Sequence, residues 1–313
     1  MEIIQPSATL MALPDLLFPD SWINRIELIG RTAYKSESKI TSSSGVEFVK
    51  KIIKSGHESV LEHMTHILEV EGSDEALLGD FAEIQDSTIG FHWSMQYTGA
   101  VVSFNVRTLR DMKRNVENDL TDSVFKHLVQ QYPLLYGDLE PSVSSESYYK
   151  VTDMTEEVML DNLPINQCWE HIYRSVRFIC DRGVTHEIVR HRPPSYTQES
   201  TRYCNYAKKG ITFIKPPWGF NNEDMEFLFA VEAQYNKKIA EGWSPQEARG
   251  FLPNCLKTEI IMTANLTEWW HFFELRTAES AHPQMRQLTI PLFEDFKRTI
   301  GHNFGVGINT PLT

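Results

Sequence analysis

Two segments of this chain carry the alternation of a half-buried strand. From Met64 to Glu71, Met64, His66, Leu68 and Val70 share one face; from His171 to Cys180, Ile172, Val176, Phe178 and Cys180 do. Elsewhere the periodicity is helical. One helix is predicted from Ser21, with Ile26, Ile29 and Ala33 on its buried face. A second opens on a capping box of Ser44 and Glu47, carries Phe48, Ile52 and Ile53 at helical spacing, and stops at Gly56. In the C-terminal third, Ser244, Pro245 and Glu247 read as N-cap, first-turn proline and capping-box acid. Helices follow over Glu268–Arg276 and Gln284–Ile300, the last with Pro291 expected to kink it or shift its start, and Gly301 as its stop. Strands among many helices, without regular βαβ alternation, give an α+β class: a mixed or antiparallel sheet flanked by helices. Residues 73–168 separate two segments that read as neighbouring strands. With a predicted helix near Arg107 to Val129 and a Ser/Pro/Glu-rich loop around Pro141 to Tyr149, they read as an insertion or subdomain inside one domain spanning 1–313. No internal repeat is visible.

Composition narrows the function classes. With 313 residues, 41% of them hydrophobic, the chain can bury a core without staples. A net charge of −12 opposes binding to nucleic acid or an anionic membrane. No apolar run approaches the roughly 18 residues of a membrane helix, and no Lys or Arg precedes Arg25 to form the charged start of a secretory signal. Cys168, Cys180, Cys204 and Cys255 form neither a Cys-x-x-Cys pair nor a dense disulfide framework, so a reducing cytoplasm is expected. The charge is uneven, however. Between Arg174 and Lys209, eight Lys and Arg stand against three acids, a basic island suited to a small anionic ligand.

Several chemistries are excluded. There is no phosphate-binding Gly-x-x-x-x-Gly-Lys-Ser/Thr loop, and Gly305 and Gly307 lack the third glycine of a dinucleotide fingerprint. His186 and His191 are five apart, which on a helix separates them by about 140°, so they cannot share a metal. Among His57, His63 and His66, the last reads as a hydrogen-bonded packing residue. Trp269 and Trp270 read as core, which with the net charge argues against RNA binding. What stands out is the run from Arg190 to Tyr203. Three arginines, hydroxyls and an amide crowd together, and Pro193-Pro194 forces the chain out of a Thr185–His191 helix into an extended loop. Paired guanidiniums grip phosphates and carbonyl-rich heterocycles, and adjacent prolines lower the entropy cost of fixing such a loop.

Arg190-His191-Arg192, seven residues, then Ser200 resembles the Arg-His-Arg-x7-Ser signature of the flavin-dependent thymidylate synthases. Other segments resemble the family in the same order: Gly30-Arg31-Thr32-Ala33-Tyr34, His57-Glu58-Ser59 with Glu62-His63, Glu247-Ala248-Arg249 with Leu252-Pro253, Asn265, Leu275-Arg276 and His282-Pro283-Gln284. The resemblance implies a homotetramer with active sites at subunit interfaces. It implies a bound FAD, with NADPH and methylenetetrahydrofolate as co-substrates in methylating dUMP to dTMP.

Carried over, Arg190, His191 and Arg192 would contact flavin, with His57, Ser59, Gln198, Asn265 and His271 also on the cofactor side. Glu187, Arg190, Gln198, Glu199, Ser200, Thr201, Arg202 and Arg249 would surround dUMP, and Arg276 matches the arginine that stabilises the ionised pyrimidine. A flavin hydride would replace the cysteine nucleophile of the unrelated thymidylate synthases, whose Pro-Cys-His context is not met by Pro253-Asn254-Cys255. Ser200 has no assignable base and reads as a binding hydroxyl. The sequence departs from the pattern in places. Ala33 stands where some members carry a hydroxyl, His271 replaces an asparagine, and Thr197 replaces another small polar residue. Glu187, often glutamine, is expected to meet a sugar or an arginine. The alternative to an enzyme is a flavin- or nucleotide-binding module without turnover.

Overall fold

The computed structural model describes residues 1–13, 20–88, 90–139, 147–208, 210–301 and 304. Lys209, Gly305, Gly307 and most of the Pro141–Tyr149 loop lie outside the described residues. The first half runs β1 (Glu2–Ile4), β2 (Ser7–Leu10), α1 (Asp20–Thr32), α2 (Ser44–Lys54), a 3-10 turn (Glu58–His63), β3 (Thr65–Glu71), α3 (Asp74–Ser87), β4 (Phe91–Gln96), β5 (Gly99–Asn105), α4 (Val106–Asn115), α5 (Asp119–Gln131) and α6 (Pro133–Tyr136). The second half runs β6 (Lys150–Asp153), α7 (Glu156–Asn162), α8 (Ile165–His171), β7 (Tyr173–Asp181), α9 (Arg182–Ile188), β8 (Ser195–Gln198), β9 (Thr212–Ile214), α10 (Asn222–Ala240), α11 (Pro245–Ala248), β10 (Lys257–Asn265), α12 (Leu266–Thr277) and α13 (Pro283–Ile300). No helix among the described residues is long and apolar enough to cross a membrane.

The class is α+β, with two four-stranded antiparallel sheets and a parallel β1–β9 pair among the described residues. The two strands expected to be neighbours are not. β3 lies between β5 and β6, whereas β7 lies between β2 and β10. Alternation fixes which face of a strand is buried, not which strand it pairs with. Segment 73–168 therefore supplies three strands of a sheet whose fourth is β3.

An internal repeat, invisible in the sequence, emerges from the topology. One sheet has the order β4-β5-β3-β6 and the other β8-β10-β7-β2. Thr65 faces Asn105 in the first, and Tyr173 faces Asn265 in the second. In each case the next peptide closes the ladder: Val106 N–H donates to the Met64 carbonyl at 3.0 Å, and Leu266 N–H to that of Ile172 at 2.9 Å. Both asparagines then cap the following helix, accepting from Thr108 N and Glu268 N, each at 2.9 Å.

The halves also exchange elements. β2, from the first half, lies on β7, and β6, from the second, lies on β3. The exchanged strands end alike, Met11 N–H on the Ser175 carbonyl at 2.9 Å and Met154 N–H on that of Ile67 at 3.0 Å. Buried His63 and His171 cross the same boundary. His63 meets Thr263 (2.6 Å) and Thr197 (3.0 Å) in the second half; His171 meets Ser103 (2.8 Å) and Ser94 (2.9 Å) in the first. The cores interlock too: Ile261 of β10 packs into the first half's core, and Val101 of β5 into the second's.

Local expectations fare unevenly. α1 buries Ile26 and Ile29, but Ala33 lies past its end. Ser44 is not a cap: its hydroxyl, inside the helix, donates to Glu27 at 2.8 Å, so the capping box with Glu47 does not form. Gly56 does follow α2, at φ +70°, a conformation only glycine adopts without strain. The helix expected near Arg107 to Val129 is two helices, because Asn118 caps a new one by accepting from Thr121 N at 2.9 Å. The Ser244–Glu247 capping box forms, and α13 runs through an exposed Pro291 with Pro283 fixing its start. α10 was not foreseen; Phe227 and Phe229 sit exposed on it and blur its apolar stripe. Trp269 and Trp270 are core, and His66 is a buried packing residue 2.9 Å from the Tyr136 hydroxyl.

Candidate functional site

The arginine-rich segment is a turn braced on both sides. Asp181 caps α9, accepting from Val184 N at 2.8 Å, so the helix starts earlier than expected and ends at Ile188. Pro193 and Pro194 then release the chain into β8, an edge strand on β10 and not the loop read from sequence. Its β-forming Tyr196 and Thr197 find partners in Met262 and Ile261. The Tyr196 hydroxyl folds back on the turn, 3.0 Å from the Ile188 carbonyl and 2.5 Å from that of His191.

His191 is buried, its ring against Phe272 (4.9 Å) and His271 (5.7 Å) of α12. Arg276 reaches it from the same helix. Its Nε donates to His191 Nε2 at 3.0 Å, and its guanidinium bonds the Glu187 carboxylate at 3.1 Å and the Glu187 carbonyl at 2.9 Å. Thr289 of α13 donates to the Arg276 carbonyl at 2.8 Å, fixing the helix end. Burial, then the charges of Arg276 and His271, lowers the His191 pKa to about 4. The imidazole is therefore neutral at pH 7 and accepts at Nε2. Glu187 meets an arginine, as its departure from glutamine suggested, while Arg190 and Arg192 stay exposed.

A cleft of about 440 Å³ opens beside β8. Tyr196, Thr197, Gln198 and Tyr203 line it from the second half; Tyr34, His57, Ser59 and Arg107 line it from the first. Gln198 is held by its amide, which donates to Thr185 at 3.0 Å and Thr258 at 3.3 Å. Ser200 N–H donates to the Ala33 carbonyl at 2.9 Å, tying the signature serine to the end of α1. Beneath His57, Glu58 binds Arg110 (3.0 Å) and Arg114 (2.7 Å), which hold its carboxyl down at about 2 despite burial. A larger hollow of about 510 Å³, between α1, β2 and β7, is lined by Thr32 of the Gly30–Tyr34 segment and by Arg177, but by none of the residues expected to touch flavin or dUMP.

Other expected residues are committed elsewhere. Asn265 spends its amide on capping α12 and on the Glu170 carbonyl at 3.1 Å. Glu199 is buried between Tyr206 (2.9 Å) and Lys257 (3.0 Å). Thr201 is buried, Arg202 lies over the Tyr203 ring, and His271 is exposed. Arg249 is exposed at the end of α11, with no hydrogen bond or ion pair to the turn among the described residues. Sequence reasoning missed Arg107, Tyr196 and Glu259. Glu259 gathers Lys35 (2.7 Å), Arg177 (2.9 Å) and Lys257 under β8, which keep its carboxyl at about 2. Only the alternating charges of Lys257 and Glu259 on one strand could have signalled it.

Residues 121–300 match a family model described as thymidylate synthase complementing protein. The flavin-dependent thymidylate synthase of Pyrococcus furiosus is 30% identical over 167 residues, covering 50% of this chain and 68% of that one. That of Pyrococcus horikoshii is 31% identical over 169 residues, with the same coverage. That of Geobacter sulfurreducens is 34% identical over 116 residues, 36% of this chain and 50% of that one. A crystal structure of the UMP/dUMP methylase PolB from Streptomyces cacaoi, bound with 5-Br UMP, aligns over 95% of this chain and 92% of that one. The two are 12% identical, with a TM-score of 0.40. On the family model and the Pyrococcus enzymes, this chain belongs to the flavin-dependent thymidylate synthase family.

Proposed function

We propose that this chain converts dUMP to dTMP, taking the carbon from methylenetetrahydrofolate and reducing equivalents from NADPH, with FAD as its resident cofactor. The observation that carries this reading is the pairing of Arg276 with the Arg-His-Arg turn, 3.0 Å from Nε to His191 Nε2. Methylating C5 of a uracil requires electron density at C5, and negative charge develops on the ring as that density builds. A guanidinium already fixed by Glu187 and a neutral His191 offsets such charge without reorganising.

The residues suit the cofactor. Tyr34, Tyr196 and Tyr203 offer flat faces, His57, Ser59 and Gln198 polar edges, and exposed Arg190 and Arg192 cations for phosphates. When bound, the flavin supplies the hydride and the redox work. Around dUMP we place Glu187 (through Arg276), Arg190, Gln198, Glu199, Ser200, Thr201, Arg202 and Arg249; near flavin, His191, Arg192, Asn265 and His271 join the cleft residues. Within one chain Glu199 and Asn265 act by holding their neighbours in place. Thiol catalysis is disfavoured, because burial pushes the Cys255 thiol up to about 11 and that of Cys180 well above its ordinary value. We propose self-association as a homotetramer, which sedimentation velocity reads directly.

The test is dTMP formation from dUMP, methylenetetrahydrofolate, FAD and NADPH, followed chromatographically. Product should require all four. A yellow protein making no dTMP supports the binding module instead, and a colourless protein that takes up no FAD overturns both the enzyme and a flavin-binding module.

A further inference from the structure

His57 and Ser59 precede His63 as Ile165 and Gln167 precede His171. Arg107 follows the capping Asn105 as Thr267 follows Asn265, and Gln198 follows Thr197 as Met95 follows Ser94. The molecule thus has two quasi-equivalent places where a turn from one half meets the outer strand of the other. One joins the first half's turn to β8 and is the cleft, with His57, Ser59, Arg107 and Gln198 in its walls. At the other, the second half's turn meets β4, and Ile165, Gln167, Thr267 and Met95 hold the matching positions. An exposed Ile165 and a methionine offer no hydrogen bonds to a polar ring.

Arg107 is the residue of the cleft to which no role has been given. Its guanidinium bonds Glu62 at 2.7 Å and Asp111 at 3.4 Å, and its Nη2 has no partner among the described residues. Two carboxylates already balance its charge, so it suits a neutral ring carbonyl better than a phosphate.

We infer that the chain is a fused, strand-exchanged pair of units with a single ligand cleft, built by both halves of the same chain, in which Arg107 binds a ring carbonyl of the heterocyclic ligand. This rests on the flavoprotein reading of the same cleft. At the cleft all four positions are polar, whereas at the other place Ile165 and Met95 stand for His57 and Gln198, leaving Gln167 and Thr267, and both walls of the cleft come from one chain.

The experiment combines stoichiometry with complementation. Absorbance titration of the wild-type chain with FAD should saturate at one flavin per chain. Arg107→Ala and Gln198→Ala should each weaken FAD or dUMP binding about tenfold or more. Arg107→Lys should recover part of the loss, and Thr267→Ala should leave both affinities unchanged. Co-expressing Arg107→Ala and Gln198→Ala chains under different tags, then isolating mixed oligomers, should give activity and flavin uptake no higher than the average of the two. Mixed oligomers well above that average, or two flavins per chain, would overturn the inference, as would wild-type affinity in Arg107→Ala. A chain taking up no FAD overturns the flavoprotein reading together with this one. One flavin per chain with restoration in the mixture overturns this one alone.

Discussion

The two halves share strand order, register, helix caps and a boundary-crossing histidine, yet they differ wherever a ligand could be held. After β7 the second half places a short helix, an arginine turn and a proline pair before its outer strand. After β3 the first half places the longer α3, whose residues include no arginine or histidine. Conversely, the first half keeps His57 and Ser59 in its turn, while the second has Ile165 and Gln167. A shared frame is thus held by backbone pairing and interlocked cores, which tolerate many sequences. The chemistry depends on a few side chains that need be kept at only one of two related places.

The largest expected effect tests that asymmetry at Arg276. Counting from the capping asparagines, Val116 occupies its place in the first half, so Arg276 has no counterpart there. Arg276→Ala should lower dTMP formation by about 10²–10³-fold, with thermal unfolding little changed; unaltered turnover would remove Arg276 from the chemistry. Next come the crossing histidines. His63→Ala and His171→Ala should each cost about 2–4 kcal/mol in urea unfolding, since each leaves hydroxyls unpaired and a void. Only His63→Ala should also weaken FAD binding, because its partner Thr197 lies on β8 beside the cleft. Equal effects on binding would break the comparison.

A smaller effect comes from pH. Burial lowers His63 to about 3 and His66, His171 and His191 to about 4, from the usual 6.5. The unfolded chain therefore binds more protons below pH 6.5, and stability falls as pH drops from there toward 4. The melting temperature should be flat from pH 7 to 8 and decline from pH 6.5 to 5, and His171→Ala should flatten part of that decline. The smallest expected change is at Cys255→Ser, whose dTMP formation should stay within about twofold of wild type, given a half-buried thiol held protonated. Abolished turnover in a folded variant would restore a thiol mechanism.

Much of the site was legible because it is local. Proline pairs, the Ser244 cap and the arginine run act within a few residues, so their consequences can be read along the chain. For Glu187, a carboxylate unfavourable beside a phosphate, the sequence left a sugar or an arginine, and the fold brings Arg276 to it. Arg107 was not legible: on an amphipathic helix it looks like any solvated arginine, and it becomes a cleft residue only because β5 delivers α4 beside a strand 90 positions away. Asn265 was read from the family pattern as a ligand contact, while its cap role depends on where β10 ends.

By itself the sequence determined the class, the Ser244 cap, the proline exit from the arginine turn, the turn's composition and the family. Those follow from local backbone preferences and from side chains whose chemistry travels with them. Only the tertiary structure decided that β3 and β7 belong to different sheets, that the halves repeat and exchange strands, and that one cleft draws on both. Strand pairing is chosen by the backbone hydrogen bonds and cores of distant segments, and an alternating pattern names a buried face without naming its partner.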